Sequence, residues 1–140
     1  DVSVENMIKD EEKYGLKKLS TYINFGKKIQ NLKKQVLENL KLLKIKNKNI
    51  IGYGAPAKAT TALNFFNIKD EINYIIEDNH LKHGKYLPGV NIKILSKKDV
   101  KLKDPLVLVL AWNFLEEIKK NNKDLSSKFI SIKDLEQEKI

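Results

Sequence analysis

Residues 49–61 read NIIGYGAPAKATT, and this stretch decides the fold. A short β-prone run, expected as a strand over residues 48–51, meets the turn that Gly52 and Gly54 permit. Pro56 suits the first turn of a helix, where its missing N–H would have no intrahelical partner. Ala57, Ala59, Ala62, Leu63 and Phe66 then continue as that helix. Gly52, Gly54 and Ala57 fit the G-x-G-x-x-G/A spacing of a dinucleotide loop, and Asp78 ends the next strand about where a ribose-binding acid stands. Glycines let a backbone approach a ligand closely, and a helix start offers free N–H groups and a positive dipole end. Pro56 deletes one of those donors, and no Gly-Lys-Ser/Thr run makes Lys58 a Walker lysine. A plain strand-to-helix turn would use the same residues.

Downstream, INYIIED (residues 72–78) is expected as a second strand, followed by the loop NHLKHGKYLPGV. NIKIL supplies a short strand, and Ser96 with Asp99 has the spacing of a helix cap. PLVLVLAW is the most apolar stretch, as expected of a strand covered on both faces. Asn113 with Glu116 reads as the cap of the helix through Ile118, and KFISI supplies a last strand. Helices alternating with strands imply a mostly parallel α/β sheet, whose ligands gather at the carboxyl ends of the strands.

Upstream, residues 4–14 read as a short polar helix stopped by Gly15. A long helix follows, with Phe25, Ile29, Leu32, Val36, Leu40 and Leu43 drawing one apolar stripe at spacings of three and four. The expected division is a helical lead-in over residues 1–47 and an α/β domain over residues 48–140.

The chain has 140 residues, 41% of them hydrophobic, enough for one core. Its net charge is +9, yet all 27 basic residues are lysine. Without arginine's bidentate fork, a nucleic-acid reading rests on net charge alone, and a solvated surface is the plainer account. Absence of cysteine removes thiolate chemistry and cysteine-ligated zinc. There is no long apolar span or secretory leader, so no membrane partner is expected and a cytoplasmic protein is the simplest reading. The start at Asp1 instead of methionine reads as a segment of something longer.

GYGAPAKATTALNFFNI, DNHLKHGKYLPGVNIKI and LVLAWNFLEEI, in that order and spacing, resemble the C-terminal domain of the S-adenosylmethionine-dependent C-methyltransferases that act on nucleotide-linked deoxysugars. The lead-in EEKYGLKKLSTYINFGKKI resembles the segment joining that domain to the methyl-transfer domain. The resemblance implies a Rossmann-like domain that helps to hold a nucleotide sugar against an absent central domain. Zinc and S-adenosylmethionine would belong to the absent domains, and none is expected in this segment.

On that resemblance the expected substrate-binding residues are Gly52, Tyr53, Gly54, Ala55, Pro56, Ala57, Lys58, Asp78, Lys82, Lys85, Trp112 and Asn113. Thr61, Asn64, Gly84, Pro88, Gly89 and Ala111 also match family positions. Ala59 stands where glycine is common and Leu87 where threonine is common. Each has a structural alternative: Asp78 can brace the loop, Lys82 and Lys85 can be solvated, Trp112 can be packing and Asn113 a cap. His80 and His83 have H-x-x-H spacing without a third ligand, and no metal is expected there. Nothing in the sequence selects a general base. A further expectation puts Gly54 and Lys85 at the same edge of the sheet, in loops that lie side by side, with a diphosphate between the helix start and the Lys85 ammonium. A stand-alone NAD(P)-binding domain satisfies the same glycines, and a basic nucleic-acid adaptor is the remaining alternative.

Overall fold

The computed structural model describes residues 1–47 and 49–136; Lys48, where the first strand was expected to begin, lies outside the described residues. In chain order the elements are α1 (Val2–Tyr14), α2 (Leu19–Lys46), β1 (Ile50–Tyr53), α3 (Ala57–Phe66), β2 (Ile75–Ile76), β3 (Tyr86–Leu87), β4 (Ile92–Leu95), β5 (Leu106–Val109), α4 (Leu115–Asn121) and β6 (Phe129–Ser131). Contacts divide the chain into two compact units, Asp1–Lys33 and Lys34–Ile140.

In the first unit, the Asp1 carboxylate caps α1 by accepting from the Ser3 N–H at 3.0 Å. Gly15 ends the helix at φ 70°, the left-handed conformation that costs glycine little. The chain turns there into α2, with Thr21 Oγ1 donating to the Gly15 carbonyl at 2.8 Å. No residue of α1 is buried.

In the second unit, α2 contributes Val36, Leu40 and Leu43 to the core. The expected stripe is therefore occupied only in part: Phe25 is 61% exposed, and Ile29 and Leu32 are half-buried. Periodicity marks a face able to bury, and burial follows where a partner exists. The later turns have one, because Gln35 and Asn39 donate to the Glu136 and Leu135 carbonyls and Lys44 reaches the Asn73 side chain at 3.0 Å.

Among the described residues six strands form one sheet in the order β3-β4-β2-β1-β5-β6. The β1/β2, β1/β5, β2/β4 and β5/β6 pairs are parallel, while β3 returns antiparallel on β4. β1 and β5 are buried along their whole length, as strands with helices on both faces must be. Ile51, Tyr53, Ile76, Val107 and Val109 share one apolar cluster with Leu125, with Leu115 and Ile118 of α4 against it. Side chains alternate along a strand, so Ile50, Ile75, Leu106 and Leu108 belong to the opposite face.

Gly52 does not make the turn. It lies inside β1, pairing with Ile75 and Leu108, and a Cβ there would stand 2.8 Å from Ile75 Cγ1 and 3.0 Å from Leu110 Cδ1. The turn belongs to Gly54, at φ 87°. The second strand is also shorter than expected, since only Ile75–Ile76 forms ladder pairs.

Candidate functional site

β1 lies between β2 and β5, and the chain leaves it for β2 on one side before β5 is added on the other. That change of direction opens a crevice at the carboxyl ends of the strands. Tyr53 and Gly54 come from the end of β1, Glu77 and Asp78 from the end of β2, and Ala111 follows β5. Together with Glu117, Asn121 and Asn122 of the α4 region they line a cleft of about 650 Å³.

The loop after β1 is tied down by backbone and side chain together. Gly54 N–H donates to the Ile76 carbonyl at 2.7 Å, and a Cβ on Gly54 would meet Ala111 Cβ at 2.9 Å. Ala55 N–H donates to the Glu77 carboxylate at 2.8 Å. Pro56 has no N–H and precedes α3 without a side-chain cap. A helix does open after the turn as expected, but Pro56 stands before it as the extended N-cap residue instead of in its first turn, and two of the loop's N–H groups are already engaged.

Glu77 organises this corner, and the sequence reading missed it. Its carboxylate accepts from Ala55 N–H, from Asn79 N–H at 3.1 Å and from the Lys82 ammonium at 3.1 Å. Burial works to raise its pKa, but the hydrogen bonds from Ala55 and Asn79 and the Lys82 ammonium outweigh it and hold the carboxyl below its ordinary value. Lys82 also donates to the Ala55 carbonyl at 3.0 Å, so its charge is spent inside the loop. His83 Nε2 lies 2.7 Å from the Glu77 carbonyl; a carbonyl only accepts, so this nitrogen carries a hydrogen.

Across the cleft floor, the Tyr53 hydroxyl donates to Asp78 Oδ1 at 2.9 Å and lies 3.4 Å from Asn122 Oδ1. Burial, and then the Asp78 carboxylate, push the Tyr53 phenol up to about 12. The Asn122 amide is buried and donates to the Ile118 carbonyl at 2.8 Å. Lys97, on the cleft wall, pairs with Asp124 at 2.8 Å. Both lysines of the cleft wall are thus ion-paired within the chain, and the acceptors Asp78 and Glu117 share the wall with asparagine amides.

Of the residues expected from sequence, Tyr53, Gly54, Pro56, Asp78 and Lys82 line the cleft, with Ala111. The others lie elsewhere. Gly52 is strand interior, Ala55 contributes backbone to the loop, and Ala57 begins α3. Lys58 carries its ammonium 4.3 Å from the centroid of the Trp112 ring, so these two recognise each other. Asn64 donates to the Pro88 carbonyl at 2.9 Å, fastening the β3–β4 hairpin to α3. Leu87 is buried.

Asn113 does not cap a helix: it sits in the 3-10 turn Trp112–Phe114, and α4 begins after Phe114. The Phe114 N–H bond to the Ala111 carbonyl at 2.8 Å tightens that turn and delays the helix. Ser96 likewise caps a single 3-10 turn, Lys97–Asp99, instead of a longer helix. Lys85 shares the carboxyl edge of the sheet with Gly54, as expected, because β3 starts where the parallel strand β4 ends, but it is set to one side. It is exposed at the foot of β3, its carbonyl accepting from Ile94 N–H, and β2 and β4 intervene between β1 and β3.

Residues 1–131 match the family described as the C-methyltransferase C-terminal domain. The chain is 32% identical over 124 residues to the C-methyltransferase NovU of Streptomyces niveus, a match that covers 87% of this chain and 30% of that protein. The chain thus spans about a third of the length of this relative. Among the described residues no helix is long and apolar enough to cross a membrane. The match over nearly the whole chain assigns it: this chain, with its mostly parallel sheet and its cleft at the switch of strand order, belongs to the C-methyltransferase C-terminal domain family.

Proposed function

We propose that this chain is the substrate-holding domain of an S-adenosylmethionine-dependent C-methyltransferase whose substrate is a nucleotide-linked deoxy keto-sugar. The observation that carries the reading is the cleft at the ends of β1, β2 and β5, on whose wall Tyr53, Gly54, Pro56, Asp78, Lys82 and Ala111 come together. A cleft of about 650 Å³ is of a size that accepts a small ligand. The partner is the methyl-transfer domain of the same parent chain, and the setting is cytoplasmic.

In the proposed reaction the carbon next to the ketone loses a proton to a base of the parent enzyme and takes a methyl group, with the electron pair of the broken C–H bond forming the new C–C bond. S-adenosylmethionine, held outside this segment, supplies the methyl group as its sulfonium is converted to a thioether. The residues here do not suit that cofactor at the glycine loop, because the Gly54 and Ala55 N–H groups are engaged by Ile76 and Glu77. Zinc is assigned to the parent's other parts as well: this chain has no cysteine, and among the described residues no three histidine or acidic side chains converge. The chain's own part is to orient the sugar nucleotide. With its one hydrogen donated to Asp78, Tyr53 keeps an acceptor lone pair and Asp78 its second oxygen, and the neighbouring asparagine amides suit hydroxyl groups.

Amide chemical shifts of the parent enzyme, followed during titration with a nucleotide sugar and separately with NADH, test this. Shifts from the nucleotide sugar at Tyr53, Gly54, Asp78 and Ala111 are expected, with none from NADH. Saturable NADH binding at those residues without a response to the sugar nucleotide would make this a dinucleotide domain instead.

A further inference from the structure

We infer that Glu77 determines specificity by turning phosphate away from the glycine loop, which leaves the cleft to an uncharged, hydroxyl-bearing part of its ligand. A loop that cradles phosphate must present unengaged N–H groups, aided by a cation or a helix dipole. Here three consecutive positions are closed. Gly54 N–H is bonded to Ile76 O at 2.7 Å, Ala55 N–H to the Glu77 carboxylate at 2.8 Å, and Pro56 has none. The nearby cation is no better placed, since Lys82 is held by that carboxylate at 3.1 Å and by the Ala55 carbonyl at 3.0 Å.

Glu77 thus sits where a ligand's oxyanion would sit, joined to the same N–H and the same ammonium that would recognise one. A phosphate approaching this loop meets a like charge at short range, in a partly buried corner where solvent screens little. The glycine spacing survives because Gly52 is needed for packing and Gly54 for the turn. What the cleft retains is the hydrogen-bonded pair of Tyr53 and Asp78, with the buried Asn122 beside it. Those groups exchange hydrogen bonds with hydroxyls. This deepens the proposed reading of the cleft as a substrate site, and rests on it only for what enters.

The test needs no sugar nucleotide, so its failure is distinguishable from failure of that reading. Inorganic pyrophosphate and phosphate are titrated into the wild-type chain, Glu77→Ala, and the double variant Glu77→Ala with Lys82→Ala, in chloride of matched ionic strength. Calorimetry and thermal unfolding are both read. Removing the carboxylate leaves the Ala55 and Asn79 N–H groups and the Lys82 ammonium without their acceptor, so Glu77→Ala should bind pyrophosphate at least about tenfold more tightly than wild type, as befits a charge-assisted contact. Its melting temperature should rise saturably with phosphate while that of the wild type does not. The double variant controls for the lysine-rich surface and should lose the response. Equal pyrophosphate affinity in wild type and Glu77→Ala overturns the inference, and so does an undiminished response in the double variant. If Glu77→Ala fails to fold, Glu77→Gln, which keeps an acceptor oxygen but not the charge, is read in its place; pyrophosphate affinity no higher than wild type then overturns the inference.

Discussion

The Tyr53 hydroxyl donates to the Asp78 carboxylate at 2.9 Å, joining the end of β1 to the end of β2 at the cleft floor. The bond couples stability to alkaline pH. Burial first, then the Asp78 carboxylate, push the phenol up to about 12, against roughly 10 for a tyrosine in an unfolded chain. Below pH 10 both states keep the proton and the stabilisation is fully present. Above it the unfolded chain ionises first, so stability is lost as pH rises towards the folded value. Urea unfolding between neutral and strongly alkaline pH should therefore show a shallower alkaline decline for Tyr53→Phe than for wild type. The many lysines titrate in both proteins and cancel in the difference. Parallel declines would mean that the phenol is not held in this way.

The two glycines of the loop should fail differently. Gly52→Ala places a methyl group 2.8 Å from Ile75 Cγ1 within the sheet core, and such overpacking costs about 1 to 3 kcal/mol. Gly54→Ala meets Ala111 Cβ at 2.9 Å and must also hold φ 87°, which adds backbone strain of about 1 to 2 kcal/mol. Gly54→Ala is expected to be the more destabilised in equilibrium unfolding. Near-neutral behaviour of Gly54→Ala would remove the left-handed turn from the account. A bulkier valine at Gly54 perturbs the fold together with the site, so ligand affinity measured on it must be read beside its stability.

Within α2, Leu40 is 0% exposed and Phe25 is 61% exposed. Leu40→Ala should cost about 2 to 5 kcal/mol, the range for a large-to-small change in a packed core. Phe25→Ala should stay within about 0.5 kcal/mol of wild type, as exposed substitutions do. Chemical denaturation of both variants checks the pair. Similar losses at the two positions would restore the full-length stripe that the sequence suggests.

The contrast shows what was legible before the structure. Periodicity marked α2, the run LVLV marked a strand buried on both faces, and alternating helices and strands gave a parallel sheet, because these signals are local. Glu77 was invisible because its role depends on a non-local register. Gly52↔Ile75 and Tyr53↔Ile76 bring the residue after β2 against the residue after the turn, and nothing nearby in the chain marks that meeting. An acid one position before the expected ribose acid was the available hint. Gly52 was misread because glycines required for packing and for turning have the same spacing. The edge that Lys85 shares with Gly54 was legible, but its sideways distance was not, because strand order, with β4 inserted next to β2, is not written in any one segment.

That strand order yields the last prediction, which sets Asp78 against Lys85. Asp78 lines the cleft and accepts from Tyr53, whereas Lys85 is exposed at the foot of β3, with β4 and β2 between it and β1. A ligand held by the Tyr53–Asp78 pair loses a charge-assisted acceptor in Asp78→Asn, worth about 1.5 to 3 kcal/mol, or a roughly tenfold or greater loss of affinity. Lys85→Ala removes an ammonium that the cleft does not use, so affinity should stay within about twofold, or roughly 0.4 kcal/mol. Calorimetric titration of the parent enzyme with a nucleotide sugar reads both variants, and S-adenosylmethionine affinity serves as the internal control for folding and for the partner domain. The reverse ranking, with Lys85→Ala weak and Asp78→Asn normal, would move the phosphate-bearing part of the ligand onto the β3–β4 hairpin and away from the cleft.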